Sequence, residues 1–484
     1  MNAAPLVNPF GAIDWTAVVP LFIVGGVAVL VLLADLLTRK PNGSISTGIG
    51  IIGLAAAGIY AARAVPFGTT HNAFFGGFML GGFATVMQEV IVIAAIVSLA
   101  IVRTNRNPQR MGGTVALLLW ATTGAMLMAG AANLMTIFLG LELLSLALYC
   151  LCALGDRASS RESGLKYLIL SSTASGFLLF GMALLFGASG SITLGALASP
   201  ALAHDPLYWL GAGLFLIGIA FKLSLMPFHI WSPDVYEGAP LPVTAYMSVV
   251  TKAGTLAVLA RFIFAAYAGG SADKLLLPIY IIAAISMIGG NAAMLAQTDL
   301  KRLLAYSGIA QAAYIVAALA GGTALGVRYA IYYLAAYTFM NMGAFAIAAV
   351  ASADGEEGTH LTSYRGLAYR RPWLAAAMTF FLLALAGFPP TAGFLGKILI
   401  LSTNVTAGYA WLGAFLIAGT AISLYAYFKV VRAMYERPAP SHPAPPATAP
   451  AMPLAYVSIT VCALLTLIMT FYPLTPSAVL PLIK

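Results

Sequence analysis

Four charged residues lie inside long apolar segments of this chain, where charge is least expected. They are one carboxylate, Glu142, and three lysines, Lys222, Lys252 and Lys397. A charge at bilayer depth costs about 3 kcal/mol or more on insertion scales, so such residues are rare and commonly mark an ion or proton pathway. A buried lysine can give up its proton, whereas an arginine cannot. We therefore predict a proton relay in which the lysines carry protons and Glu142 is the charge partner of a lysine.

Each of these residues also has a structural interpretation. Glu142 could be a buried carboxylate that a structural partner holds in place. A lysine near a helix end can extend its ammonium group to the membrane surface. This alternative is weak for Lys252, which lies deep inside its segment. It is stronger for Lys397, because prolines interrupt the segment that contains it.

Two accessory residues extend the candidate site. His229 follows Pro227 at an interruption of an apolar segment. There it could pass protons between internal water and Lys222, or simply bind the carbonyl groups of a broken helix. Lys166 lies four residues after Glu162, a spacing that predicts a local ion pair on a helix. A place for Lys166 in the relay is the alternative.

The composition determines the class of protein that must position these residues. Of 484 residues, 61% are hydrophobic and only 8% are charged, against about 25% charged in soluble domains. The mean hydropathy is +0.94. The apolar segments are continuous, whereas a transmembrane barrel would show alternating segments of about 10 residues. We predict an all-α polytopic membrane protein. The net charge of +9 comes from short loops between apolar segments, so it indicates membrane topology and no nucleic-acid partner.

About fourteen segments are long enough to cross a membrane, since a span needs about 20 apolar residues. The predicted spans are 15–37, 47–64, 80–102, 112–130, 132–154, 164–187, 206–225, 240–264, 275–296, 302–321, 326–351, 373–402, 408–433 and 453–472. With the N-terminus outside, 16 Lys and Arg residues fall in inside loops and 5 outside. This bias fits the positive-inside rule, and it places both termini on the outer side.

Prolines interrupt the seventh and twelfth predicted spans, around Pro227 and at Pro389 and Pro390. Proline removes a helical hydrogen bond, and in lipid the freed backbone groups must find partners in protein or water. We expect Asp234 and Glu237, which follow the first interruption, to cap helix ends. The interruptions lie five spans apart, which predicts two inverted five-helix repeats, spans 4–8 and 9–13, as in many transporters.

These repeats divide the chain into four predicted parts. They are the N-terminal helices (1–110), the first repeat (111–264), the second repeat (265–436) and a Pro/Ala-rich loop with a last helix (437–484). The chain contains no Walker A sequence, no dinucleotide-binding glycine motif and no cysteine cluster for an iron–sulfur centre. We therefore expect no cofactor or metal in this chain, and a partner that supplies the driving force.

The segment FKLSLMPFHIWSPDVYEGAPLPVTAYMSVVTKAG resembles the antiporter-like membrane subunits of respiratory complex I, and its core is shared with Mrp-type cation/proton antiporters. VYEGAPLPVTAYMSVVTKAG, NLMTIFLGLELLSLALYCLCAL and ESGLKYLILSSTASGFLLFG are most similar to the subunit-N type. Lys397 agrees, because the subunit-M type usually carries glutamate there. The resemblance covers nearly the whole chain.

The resemblance implies a bacterial inner-membrane complex that oxidises NADH and reduces quinone. FMN, the iron–sulfur clusters and the quinone site would belong to other subunits. The expected partners are adjacent antiporter-like subunits, small quinone-side subunits and membrane lipids. By the same resemblance, Glu142 and Lys222 would form a charge pair, Lys252 would be the central lysine and Lys397 the terminal one. Lys166 and His229 also occupy motif positions of the family.

Three hypotheses follow. In the first, protons enter from the inside, pass through water from Lys222 to Lys252 and reach Lys397, with the Glu142–Lys222 pair as the gate. In the second, the chain is an Mrp-type cation/proton antiporter subunit. In the third, it is a structural spacer whose buried charges tolerate apolar replacement.

Overall fold

A computed structural model describes residues 14–37, 43–65, 69–102, 111–270, 272–352, 359–437 and 452–471. The N-terminal half of this described chain contains helices α1 (Trp15–Leu37), α2 (Gly43–Ala64), α3 (Gly82–Val102), α4 (Met111–Gly130), α5 (Leu134–Ala153), α6 (Ala158–Ser189), α7 (Pro206–Lys222), α8 (Trp231–Gly238) and α9 (Leu241–Ala268). The C-terminal half contains α10 (Ala272–Leu295), α11 (Leu300–Ala318), α12 (Ala324–Ala351), α13 (Leu367–Arg370), α14 (Pro372–Ala386), α15 (Ala392–Thr406), α16 (Ala410–Tyr435) and α17 (Pro453–Phe471).

The all-α polytopic membrane fold is confirmed. Within the described residues, eleven helices are long and apolar enough to cross a membrane. The twelfth predicted span is a pair of shorter helices, α14 and α15. The seventh contains α7, and the short helix α8 follows the break, beyond the predicted end of that span. The tenth is α11. The ends of the chain and residues 438–451 of the Pro/Ala-rich loop lie outside the described residues, so the positions of the termini stay a prediction.

At both interruptions, nearby residues bind some of the backbone groups that the break frees. In the first, the indole of Trp231 donates to the Phe221 carbonyl at 2.8 Å, and the Met226 amide donates to Ser286 Oγ at 2.8 Å. In the second, α14 ends at Gly387, whose φ of +79° favours glycine. The side chain of Thr391 then caps the start of α15. These contacts replace part of the hydrogen bonding that the breaks remove.

A β-hairpin departs from the all-helical prediction. Strands β1 (Thr70–Ala73) and β2 (Phe78–Gly81) pair antiparallel between α2 and α3. At its base, His71 Nδ1 lies 2.7 Å from the carboxylate of Asp14. Strands of four residues are too short to show an alternating pattern, so the sequence carried little signal for them. The hairpin satisfies the backbone of a connection that would otherwise depend on water.

The same kind of junction occurs once in each of the two predicted repeats. After α4, Leu134 N donates to the Ile192 carbonyl at 2.8 Å, and after α10, Leu300 N donates to the Thr359 carbonyl at 2.7 Å. In both places a side chain caps the following helix, from Asn133 in α5 and from Asp299 in α11. This recurrence is what two related five-helix units would produce. The four-part division of the chain stays a prediction.

The helices α9 and α12 form the centre of the molecule. Every residue from Leu241 to Ala260 is buried, and α9 packs against α3, α4 and α12. Two cations that were counted with the loops, Lys301 and Arg261, lie in helices. The helix α11 begins before the predicted span 302–321 and so includes Lys301, whereas Arg261 lay inside the predicted span 240–264 near its end. Lys301 is 1% exposed at the start of α11, where it donates to the Ala239 carbonyl at 2.9 Å. Arg261 lies within α9 itself.

Candidate functional site

Glu142 lies in the middle of α5 and is only partly buried. Its carboxylate accepts a hydrogen bond of 2.6 Å from Ser175 Oγ on α6. It forms no ion pair with Lys222 among the described residues. The pair that the family resemblance implies is therefore not in contact in this structure.

Lys222 is the last residue of α7, directly before the break, and is 3% exposed. Its ammonium group donates to Ser145 Oγ and to Ser171 Oγ, each at 2.6 Å. Ser145 lies one turn after Glu142 on α5, and Ser171 lies one turn before Ser175 on α6. Serine hydroxyls thus occupy the space between the carboxylate and the ammonium group.

Lys252 lies at the centre of α9 and is 1% exposed. Its ammonium group donates to the Ser248 carbonyl at 3.1 Å and approaches Tyr236 Oη at 3.4 Å. Tyr337 Oη donates to the same Ser248 carbonyl at 3.2 Å. An alanine Cβ at position 308 would lie 3.2 Å from Lys252 Nζ, so Gly308 leaves the space in which this ammonium group lies.

Lys397 lies on α15, after the second break, and is 4% exposed. It does not extend to a membrane surface. Its ammonium group folds back onto the end of α14, where it donates to the Leu385 and Ala386 carbonyls at 3.2 and 2.9 Å. A cation at this position is favoured by the partial negative charge of a helix C-terminus. The ring of Tyr314 lies 4.9 Å from Nζ.

Gln311 of α11, which was not among the predicted site residues, lies between the last two lysines. Gln311 Nε2 donates at 3.1 Å to the Leu385 carbonyl that also accepts from Lys397. Tyr333 Oη donates to Gln311 Oε1. Gln311 lies one turn after Gly308 on α11. A glutamine inside an apolar span was the available signal, but it carries no charge and did not stand out.

Lys166 belongs to a cluster of ion pairs beside α8. Lys166 Nζ binds Glu162 at 2.7 Å and lies 3.7 Å from Asp234, so the predicted local ion pair is present. Asp234 and Glu237 lie within α8 and bind Arg302 of α11 at 2.7 and 2.8 Å.

The expectation that Asp234 and Glu237 cap helix ends is therefore wrong. Their carboxylates meet a cation from the second half of the chain, a contact that only the fold could bring about. His229 is partly buried, and its Nδ1 has no hydrogen-bond partner among the described residues.

One further intramembrane carboxylate lies apart from the lysine row, the name used here for Glu142, Lys222, Lys252 and Lys397. Glu89 of α3 rests against Gly58 of α2, and its Oε1 is buried with no hydrogen-bond partner in the described part of the chain. The sequence analysis missed it, although it lies in an apolar segment as Glu142 does. No group of His, Cys, Asp or Glu residues that could hold a metal ion occurs within the described ranges.

Comparisons with known proteins give one family. Residues 131–423 match the family described as NADH:quinone oxidoreductase/Mrp antiporter, transmembrane. The chain is 41% identical to NADH-quinone oxidoreductase subunit N 1 of Symbiobacterium thermophilum over 441 residues, which cover 88% of each protein.

Solved structures agree with this assignment. A chain of respiratory complex I from Thermus thermophilus with bound aureothin has a TM-score of 0.81 and 31% identity, over 94% of this chain and 97% of that one. A chain of the Mrp complex from a Dietzia species has a TM-score of 0.84 at 19% identity, over 98% and 97%. That second likeness shows the fold alone. The chain belongs to the NADH-quinone oxidoreductase subunit N family of antiporter-like membrane subunits.

Proposed function

We propose that this chain is a proton-translocating membrane subunit of NADH:quinone oxidoreductase. One observation carries the proposal. The three buried lysines donate only to hydroxyl and carbonyl groups in the described structure, and none is paired with a described carboxylate. A fixed ion pair would hold a lysine in its charged form, whereas neutral acceptors tolerate both the ammonium and the amine. These lysines can therefore release and regain protons.

The gate is formed by Glu142 and Lys222. In the described arrangement the serine hydroxyls separate the two charges, as in an open pair. Closing the pair would bring the carboxylate to the ammonium group and stabilise its proton, and opening it would release that proton. Ser145 and Ser171 can follow either state, because a hydroxyl both donates and accepts hydrogen bonds.

The transfer from Lys222 to Lys252 must pass an aromatic stack. The ring of Tyr167 lies 4.7 Å from that of Trp231, and Trp231 meets Tyr236 edge to face at 6.2 Å. Lys222 Nζ lies 5.5 Å from the Tyr167 ring and Lys252 Nζ lies 5.7 Å from the Tyr236 ring. Because ring faces do not relay protons, this step needs water beside the stack, and the stack limits when such water can form a chain.

The transfer from Lys252 to Lys397 follows α11. Gly308 provides the space beside Lys252, and Gln311 shares the Leu385 carbonyl with Lys397. Water between Lys252 and Gln311 would complete a hydrogen-bonded path from Lys252 to Lys397. Gln311 acts here as a positioning residue that holds the end of α14 and the Lys397 ammonium group together.

The energy for this transfer comes from partner subunits. NADH oxidation with FMN and iron–sulfur clusters, and quinone reduction, take place outside this chain. Its partners are other membrane subunits of the complex and lipids, in the bacterial inner membrane, with both termini on the outer side. The enzyme activity therefore belongs to the complex, and this chain contributes proton translocation as part of a translocase.

The test uses the purified complex, reconstituted in vesicles that contain a pH-sensitive dye. Lys252→Met keeps the length of the side chain and removes the proton carrier. We expect proton translocation driven by NADH and quinone to fall to background in an assembled complex. Lys429→Met is the matched control, because Lys429 also donates to carbonyls, at 3.3 and 3.0 Å, but lies outside the row. It should pump normally.

Other results would support the other hypotheses. Wild-type pumping by the Lys252→Met complex would contradict the relay and favour a structural spacer. Proton exchange that requires Na⁺ or K⁺ but neither NADH nor quinone would favour an Mrp-type antiporter. The support for that hypothesis is the shared fold.

A further inference from the structure

A cavity of about 310 Å³ lies at the end of α9, away from the lysine row. Its walls come from β2, the start of α3, the connection between α4 and α5, and the 3-10 helix at Leu194–Ala198. Apart from Arg261, the side chains that line it are apolar, and Phe83 and Phe264 are its aromatic residues. One charged side chain, that of Arg261, lines it as well.

Arg261 lacks the partners that a buried guanidinium group needs. Its Nη2 lies 3.5 Å from the Ala129 carbonyl, longer than an ordinary hydrogen bond. Its Nε is buried with no hydrogen-bond partner among the described residues, and no described carboxylate forms an ion pair with it. The Phe83 ring, 5.8 Å away, offers a cation–π contact only. A partly buried cation with an unbonded Nε and no described carboxylate beside it is unfavourable, so this site favours an anion.

The cavity is accessible from outside the helix bundle. Residues 241–260 of α9 are all buried, but Arg261, Phe264, Ala265 and Ala268 are partly or fully exposed. Their spacing places them on one face of the helix. Arg261 lies seven residues before the last residue of α9, Ala268, about 10 Å along the axis. That depth suits a group at the boundary between lipid headgroups and acyl chains.

We propose that this cavity binds an anionic phospholipid, with its phosphate on Arg261 and an acyl chain along the apolar wall. A guanidinium group can bind two phosphate oxygens in parallel. The apolar lining favours a lipid over free phosphate, because an inorganic ion would leave most of the wall without a partner. This site is independent of the proton relay.

The test uses the assembled complex, purified through this chain, with phosphatidylglycerol that carries a photoreactive group in one acyl chain. After illumination, mass spectrometry of peptides locates the label. We expect labelling of the peptide that contains Phe264, and competition by unlabelled phosphatidylglycerol. Arg261→Gln should weaken the labelling about tenfold, the effect of losing one charge-assisted hydrogen bond. Ala265→Trp should block it by filling the cavity, and Arg63→Gln, which removes an exposed arginine of α2, should leave it unchanged.

Three results would overturn the proposal. Wild-type protein that is not labelled at the cavity would exclude the lipid without recourse to any variant. Equal competition by inorganic phosphate would assign Arg261 to a free anion. Loss of a neighbouring subunit from the Arg261→Gln complex, with labelling unchanged, would assign Arg261 to an acidic group of a protein partner.

Discussion

Lys397 combines two roles that substitutions can separate. Its ammonium group donates to the Leu385 and Ala386 carbonyls at the end of α14, and it is the last lysine of the proposed relay. Lys397→Met removes both roles, whereas Lys397→Arg keeps a permanent cation that can still donate but cannot release a proton. The two variants therefore distinguish capping of the half-helix from proton transfer.

The size of the capping effect follows from the contacts. In Lys397→Met the Leu385 carbonyl keeps the Gln311 amide, but the Ala386 carbonyl loses its donor. One unsatisfied buried acceptor costs about 1–3 kcal/mol, and the lost charge at a helix C-terminus adds about 1 kcal/mol. A total of about 2–4 kcal/mol would open the break about 30- to 1,000-fold more often.

Hydrogen exchange measures this opening directly. The amides of Gly387 and Phe388 donate to the Ala384 and Leu383 carbonyls of α14, so their exchange reports the state of the break. We expect fast exchange and no pumping for Lys397→Met. For Lys397→Arg we expect exchange nearer to that of the wild type, again without pumping. Normal pumping by Lys397→Arg would refute the relay reasoning, and unchanged exchange in Lys397→Met would refute the capping reasoning.

Three further outcomes are expected. Gln311→Leu should slow proton pumping in an assembled complex. Gln88→Leu should not, although it removes an equally buried amide that donates to a carbonyl at 3.1 Å. Equal pumping rates of the two variants in a dye-based assay would contradict the α11 path. Arg302→Gln should lower the thermal stability only slightly, because exposed ion pairs contribute about 0.2–1 kcal/mol each. A large drop in melting temperature would contradict this and show a stronger link between α8 and α11. The hydrogen bond from His71 lowers the pKa of Asp14. This contact therefore stabilises the hairpin above the ordinary carboxylate range and is lost as pH falls through the lowered value. Hairpin protection factors, which correct exchange for its intrinsic pH dependence, should fall in acid, and constant protection factors would contradict this.

The sequence predicted the helices well, because each span must be apolar along its whole length. The predicted span 15–37 coincides with α1, and most other ends differ by a few residues. Prolines marked both interruptions, because each removes a helical hydrogen bond. Proline alone does not decide a break, since Pro20 lies inside α1 and Pro278 inside α10. The hairpin was missed, because short strands take their stability from pairing rather than from a pattern.

The candidate site was predictable to the level of residue type. A charge in an apolar segment is visible in the sequence, so Glu142, Lys222, Lys252 and Lys397 stood out. The sequence could not show that serines separate Glu142 from Lys222, or that Lys397 binds the end of α14. Those contacts join helices far apart in the chain, and the hydroxyls and carbonyls that make them occur throughout it.

The sequence by itself determined that this chain crosses a membrane many times, that two of its helices are broken, and that three lysines and a glutamate lie at depth. Hydropathy and charge show these features locally, and prolines mark the two breaks, although α1 and α10 continue through Pro20 and Pro278. Only the tertiary structure decided which neutral groups surround each lysine, which glutamine lies between Lys252 and Lys397, and that Arg261 lines a cavity with no described carboxylate beside it. Such features depend on which helix faces pack together, and that choice is made by the whole bundle at once.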